Sequence, residues 1–88
     1  MTPQELVETL KRHERFVRRA PGGVRADLRN QVLTGLKLPN AVLARATLSG
    51  TDFSRSVMPG ADFSDCDLFG AAFEGADLRN AKIGRAHV

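Results

Sequence analysis

From Leu28 to Val88 an apolar residue returns at every fifth position without a slip: Leu28, Leu33, Leu38, Leu43, Leu48, Phe53, Met58, Phe63, Leu68, Phe73, Leu78, Ile83 and Val88. Two positions before most of these centres stands a small residue, among them Ala26, Ala41, Ala46, Thr51, Ser56, Ala61, Cys66 and Ala76. A period of five fits neither the roughly 3.6-residue turn of an α-helix nor the two-residue alternation of a long strand. It resolves as a short strand joined to a corner. The centre and the small residue two before it point inward together, as strand neighbours at spacing two must. The residue between them points outward, and the two residues after the centre turn the chain.

The corner chemistry agrees. The second corner residue is Gly35, Gly50, Gly60, Gly70 or Gly75 in five repeats and Asn30, Asn40 or Asn80 in three. These types accept the positive φ that a type II turn requires there. Pro39-Asn40 and Pro59-Gly60 supply both favoured central residues of that turn. Arg45, Arg55, Asp65 and Arg85 stand in the same slot, and those four corners are expected to use another turn type.

A second period lies inside the first. Pro39 and Pro59 are twenty residues apart, as are Phe53 and Phe73, and Arg45, Asp65 and Arg85 recur at that spacing with alternating sign. Twenty residues are four repeats, so a coil with four sides stacks each set in a column, with neighbouring coils about 4.8 Å apart. Leu33, Phe53 and Phe73 then form one internal ladder and Leu43, Phe63 and Ile83 another. Three coils and the start of a fourth result. Irregularities collect in the first coil, where Gln31 and Leu36 hold inward slots meant for small residues. A Leu there overpacks a tight coil by about 1–3 kcal/mol unless the backbone gives way. That coil is expected to be adapted to its end position, with Gln31 bonded to backbone. Val32, Val42 and Val57 sit at outward positions, either as a contact surface or as harmless single apolar residues.

Residues 1–25 read as a different unit from residues 26–88. Thr2-Pro3-Gln4-Glu5 has the form of a capping box with proline at the first helical position. The helix is expected to run to about Arg19, where Pro21-Gly22-Gly23 stops it. Leu6, Leu10, His13 and Val17 fall on one stripe, flanked by Thr9, Phe16 and Ala20, with Lys11, Arg12, Arg15, Arg18 and Arg19 opposite. Glu8 is placed to pair with Lys11 or Arg12, and Glu14 with Arg18. The apolar stripe, Leu6, Leu10, His13, Phe16 and Val17, is expected to cap the end of the coil.

Ala-Asp-Leu-Arg-Asn at 26–30 and 76–80, Ala-Asp-Phe-Ser-Asp at 61–65 and Cys-Asp-Leu-Phe-Gly at 66–70 resemble the repeats of the pentapeptide-repeat family. The resemblance implies an all-β solenoid, a right-handed quadrilateral β-helix of about three coils with an N-terminal amphipathic capping α-helix. The Gly-Gly-Val-Arg-Ala-Asp-Leu lead-in after a Leu-x-x-His-x-x-Phe helix also resembles the entry segment of many bacterial members.

Charge and cysteine usage narrow the function. The net charge of +3 belongs to residues 1–25, with six basic and three acidic side chains, while the repeats carry seven of each. A lone cysteine excludes an intrachain disulfide and suits a reducing compartment. No apolar run reaches the roughly 20 residues of a membrane span, and a signal-peptide core is missing. A cytoplasmic location, with no membrane contact, is the expectation. His13 and Cys66 read as packed core groups, because neither has an orienting partner in sequence. The outward Asp52, Asp62, Asp67 and Asp77, with Asp65 at a corner, lack EF-hand spacing and stand among Arg55, Arg79 and Lys82, so no metal, cofactor or small-molecule substrate is expected.

An enzyme therefore has no support, and a non-catalytic protein-interaction or scaffolding module leads. Some members of the resembled family mimic DNA and bind DNA gyrase. That alternative asks for a long, strongly negative rod, whereas this coil is neutral in sum. A further alternative is a weak nucleic-acid contact by the basic helix, which lacks an aromatic residue to stack bases. The helix caps one end only. Leu78, Ile83 and Val88 at the other are expected to meet a second copy, as a homodimer, or a protein partner, unless further coils continue past Val88. Replacing Leu10 with Asp is expected to lower the thermal midpoint by several degrees, because it charges the buried stripe; an unchanged midpoint in a calorimetric scan would contradict the capping assignment.

Overall fold

The computed structural model describes residues 1–85. Its helix, α1, spans Pro3–Val17. The Glu5 amide donates to Thr2 Oγ1 at 3.1 Å and the Thr2 amide to Glu5 Oε1 at 3.0 Å, so the capping box forms in both directions. The helix ends two residues earlier than the sequence suggests, since Arg18 is the C-cap and Arg19 takes a positive φ of 57°. Arg18 pairs with Glu14 at 3.0 Å. The pairing of Glu8 with Lys11 or Arg12 is not formed among the described residues; Glu8 is exposed.

From Ala26 onward the chain winds in turns of twenty residues. Asp27 pairs with Thr47, Val32 with Asp52, Lys37 with Val57 and Val42 with Asp62, each in parallel. The next coil repeats this with Thr47–Asp67, Asp52–Ala72, Val57–Asp77 and Asp62–Lys82. Those pairings define four faces. The expected all-β character needs correction, because the ladders consist of isolated bridges rather than strands, beside a fifteen-residue helix. Each straight side is only three residues long between corners, so its outward residue alone is placed to pair on both sides. Paired backbone bonds hold every bridge; Phe53 N–H donates to the Ala72 carbonyl at 2.8 Å and Ala72 N–H to the Thr51 carbonyl at 2.9 Å.

The corners at Arg45, Arg55, Asp65 and Arg85 also differ from expectation. Their φ values are 65°, 63°, 57° and 63°, the same left-handed region as Gly50 at 71° and Gly60 at 73°. No separate turn conformation is used. A side chain in that region costs roughly 1–2 kcal/mol, and the ladder overrides the cost. Arg45 N–H is held by the Ser64 carbonyl at 2.8 Å and Arg55 N–H by the Glu74 carbonyl at 2.9 Å. The turns are closed by Ala46 N–H on the Leu43 carbonyl and Ser56 N–H on the Phe53 carbonyl, both at 3.0 Å.

The outward aspartates also serve the corners. Ser54 N–H donates to Asp52 Oδ1 and Ser64 N–H to Asp62 Oδ1, each at 2.9 Å. Arg29, Phe69 and Arg79 make the same bond to Asp27, Asp67 and Asp77. Each carboxylate thus satisfies the amide of the first corner residue, the bond that makes Asp a turn former.

Inside, Phe53, Met58, Phe63, Leu28 and Leu48 are completely buried. Phe53 stacks on Phe73 with centroids 5.3 Å apart, and Phe63 meets both edge-on at 6.0 and 5.5 Å. Polar residues in the small inward slots bond upward to the preceding coil. Thr51 Oγ1 donates to the Leu28 carbonyl at 2.6 Å, Ser56 Oγ to that of Leu33 at 2.6 Å, and Cys66 Sγ to that of Leu43 at 2.8 Å.

At Leu36 the amide bonds to a side chain of the next coil in place of the Leu33 carbonyl. Ser56 Oγ bridges the Leu33 carbonyl and the Leu36 amide, which reaches it at 3.1 Å. Gln31 does not act as expected: it is half-buried, and among the described residues its side chain makes no hydrogen bond. Its backbone carbonyl, instead, accepts from Asp52 N–H at 2.9 Å.

α1 packs across this coil, with Leu6 in the common core and Leu10 against it. Its approach depends on Gly23, where a Cβ would lie 2.5 Å from the Phe16 amide nitrogen and 2.6 Å from its Cα. The backbone cannot yield there without shifting the helix. Gly23→Ala is therefore expected to cost about 1–3 kcal/mol, seen as a lower thermal midpoint, whereas Gly84→Ala, with nothing within 4 Å, should be neutral.

Candidate functional site

The two ends of the stack differ, and that difference is the most informative geometry in the molecule. At the helix end, Leu28, Leu33 and Leu43 are buried and Leu38 is half-buried. At the other end Leu68 is 4 % exposed, Phe73 and Leu78 are half-buried, and Ile83 is 42 % exposed. The amides of Phe73 and Leu78 have no partner among the described residues, whereas one coil earlier Phe53 and Met58 donate to Ala72 and Asp77 at 2.8 Å. Of the three residues that the sequence singles out for an interface, Leu78 and Ile83 lie on this end together; Val88 is outside the described residues.

The sequence's cap residues come together at the opposite end. Leu6 and His13 are buried, and Leu10, Phe16 and Val17 are half-buried. His13 has no exposed surface. Its Nδ1 accepts from Ala26 N–H at 2.9 Å, which leaves Nε2 to donate to the Ala44 carbonyl at 2.8 Å. The ring is thus the neutral Nε2–H tautomer, with both nitrogens spent on backbone of the coil. Burial pulls its pKa below the ordinary value, and the Arg45 and Arg25 charges act the same way against the bond to Ala44.

Arg45 is a cap residue that sequence reasoning missed. Its guanidinium lies 5.1 Å from the Phe16 ring centroid and reaches the Val17 carbonyl at 3.5 Å. No local signal could mark it, since the partners are 28 residues apart or more. Phe69 is another omission. It occupies a first corner position and is 73 % exposed, as is Val32 on the neighbouring face.

Among the described residues no group of three His, Cys, Asp or Glu side chains is arranged to hold a metal ion. A groove of about 260 Å³ runs between α1 and the Pro39–Asn40 corner, and its ionisable lining is limited to Lys11 and Glu14. The carboxylates of Asp27 and Asp77 are held below the usual range by the Arg29 and Arg79 guanidinia bonded to them. The outward aspartates are also dispersed: Asp27 and Asp67 on one face, Asp52 on the second, Asp77 on the third, Asp62 on the fourth. Among the described residues, no helix is long and apolar enough to cross a membrane.

Twelve bridge residues at five-residue spacing, arranged on four faces, coincide with a family match. The family model for pentapeptide repeats, in eight copies, matches residues 24–58 and 48–84. The chain belongs to the pentapeptide-repeat family. No curated protein and no solved structure matches it. In this pentapeptide-repeat chain the matched segment takes in every described coil and leaves α1 outside.

Cys66 occupies an inward slot of the repeat and is a packed thiol. Burial pushes its pKa up to about 11, against the pull of neighbouring backbone bonds. Because thiolate is the reactive form, Cys66 in the folded protein at pH 8 is expected to react with an aromatic disulfide reagent about a hundredfold or more slowly than in denaturant. Comparable rates in the two conditions would contradict its burial.

Proposed function

We propose that this pentapeptide-repeat chain is a non-catalytic protein-interaction module that pairs with a second copy through its last described coil. The observation that carries the reading is the contrast between ends. One end of the ladders is covered by α1, while Phe73, Leu78 and Ile83 present apolar surface beside amides that have no partner among the described residues. Such an edge is a template for further pairing, and solenoids ordinarily cover it. A symmetric contact between two copies buries it on both at once. The coil is taken as right-handed, as the family's repeats imply, and the lone buried thiol favours a reducing, cytoplasmic setting.

Gyrase binding by DNA mimicry has less support. A mimic concentrates negative charge along a rod, but here the outward aspartates are spread over four faces and two of them are neutralised by Arg29 and Arg79. The basic face of α1 offers nucleic acid no stacking ring, since Phe16 lies beneath Arg45.

Light scattering across a tenfold concentration range tests the proposal. The native chain is expected at twice its 9.6 kDa mass. Ile83→Lys is expected at the monomer mass with an unchanged circular-dichroism spectrum. A native monomer, or a dimer that survives I83K, would overturn the end-to-end contact. Inhibition of gyrase supercoiling at micromolar protein would instead favour mimicry.

A further inference from the structure

α1 is held to the coil at few polar points, and one of them is titratable. His13 reaches from the middle of the helix to two separate backbone sites of the first coil, the Ala26 amide and the Ala44 carbonyl. Both lie at one corner of the stack, Ala26 just before the first bridge at Asp27 and Ala44 in the corner that leads to Thr47, the residue paired with Asp27. The linker adds Val24 N–H on the Arg12 carbonyl at 3.0 Å. Arg45 adds its guanidinium, 3.5 Å from the Val17 carbonyl and 5.1 Å from the Phe16 ring centroid, and Leu6 and Leu10 supply the apolar packing.

We propose that His13 is a proton-operated latch that holds α1 on the first coil and releases it in mild acid. The neutral ring matches its surroundings only in one tautomer. Protonation adds a hydrogen to Nδ1, which then faces the Ala26 N–H, so an acceptor–donor bond becomes two opposed donors. The new charge has no water, because the ring is completely buried.

The neighbouring groups do not supply a counter-charge. From the linker comes Arg25 and from the first coil Arg45, both cations that oppose protonation. On α1 itself Arg12 is a third cation, and Glu14 is engaged by Arg18 at 3.0 Å. The second coil contributes Cys66, a protonated thiol bonded to the Leu43 carbonyl, and Asp65, which stands in the corner column beyond Arg45. Phe16 supplies only a ring, with its centroid 5.6 Å away.

The direction follows from linkage. The fold disfavours the charged ring, so the unfolded or undocked chain binds the proton more readily. Docking is therefore at full strength above the ordinary imidazole value of about 6.5, and it is lost as pH falls from there through the lower value of the docked state. Among the described residues the coil's own ladder contains no buried carboxylate or imidazole at its inward positions, and it stays intact. Release uncovers the ends of the Leu33, Leu38 and Leu43 ladders, a second apolar end distinct from that of Ile83.

Amide hydrogen exchange, corrected for the intrinsic effect of pH, tests the latch. Between pH 7.5 and pH 5.0 the protection of Ala26, Val24 and the α1 amides is expected to fall at least tenfold, while Phe53 and Phe63 keep theirs. His13→Gln presents an acceptor and a donor without titrating, and should abolish the difference. Nitrogen-15 shifts of the imidazoles, with His87→Gln to assign the signals, read the ring directly even if H13Q folds poorly. They should show the Nε2–H tautomer at pH 7.5 and a charged ring at pH 5.0. Protection independent of pH, an equal fall in H13Q, a parallel fall at Phe53, or a ring still neutral at pH 5.0 would each overturn the proposal.

Discussion

The twenty-residue backbone ladder is the constraint on which everything else in this molecule depends. Each straight side contributes one outward residue whose neighbours bond to the coils on either side, as Asp52 N–H does to the Gln31 carbonyl and Phe53 N–H to that of Ala72. A single bridge of this kind is weak. Eight of them, in register, leave each corner residue with little conformational choice. This is why Arg45, Arg55 and Asp65 sit in the left-handed region, which their side chains disfavour. It also explains why Ser56 replaces a turn bond at Leu36 rather than letting the coil shift.

Among the described residues, the same regularity engages many polar side chains of the coil within the coil itself. Outward aspartates are occupied with corner amides, inward hydroxyls and the thiol with carbonyls of the preceding coil, and the core is apolar ladders. In a stack whose units bury only their shared faces, unsatisfied surface accumulates at the termini. α1 deals with one terminus. It does so with an apolar stripe, a close backbone approach at Gly23 and the two bonds of His13. At the other, Phe73, Leu78 and Ile83 lose burial step by step. The proposed contact through an end of the stack rests on this contrast between the two ends.

Much of this fold is legible along the chain, because a period of five leaves few options. The apolar centres from Leu28 to Ile83, the capping box at Thr2 and the columns twenty residues apart could all be read before any coordinates, since each is a local or periodic property. The corner role of the outward aspartates was also legible in principle, for Asp two residues before a turn amide is a local bond. Matters of long-range geometry were settled by the closed coil instead. Turn propensity argued for a separate conformation at Arg45, and the ladder, formed with Ser64 nineteen residues on, overruled it. His13 gains its tautomer from Ala26 and Ala44, and Arg45 its place over Phe16, through contacts that span 13 residues or more. Gln31 was free to bond in sequence terms and does not, because its inward slot at the end of the stack is only half-covered. Local chemistry and period can be read along a chain, whereas the partners that satisfy a buried polar group are known only once the coil has closed.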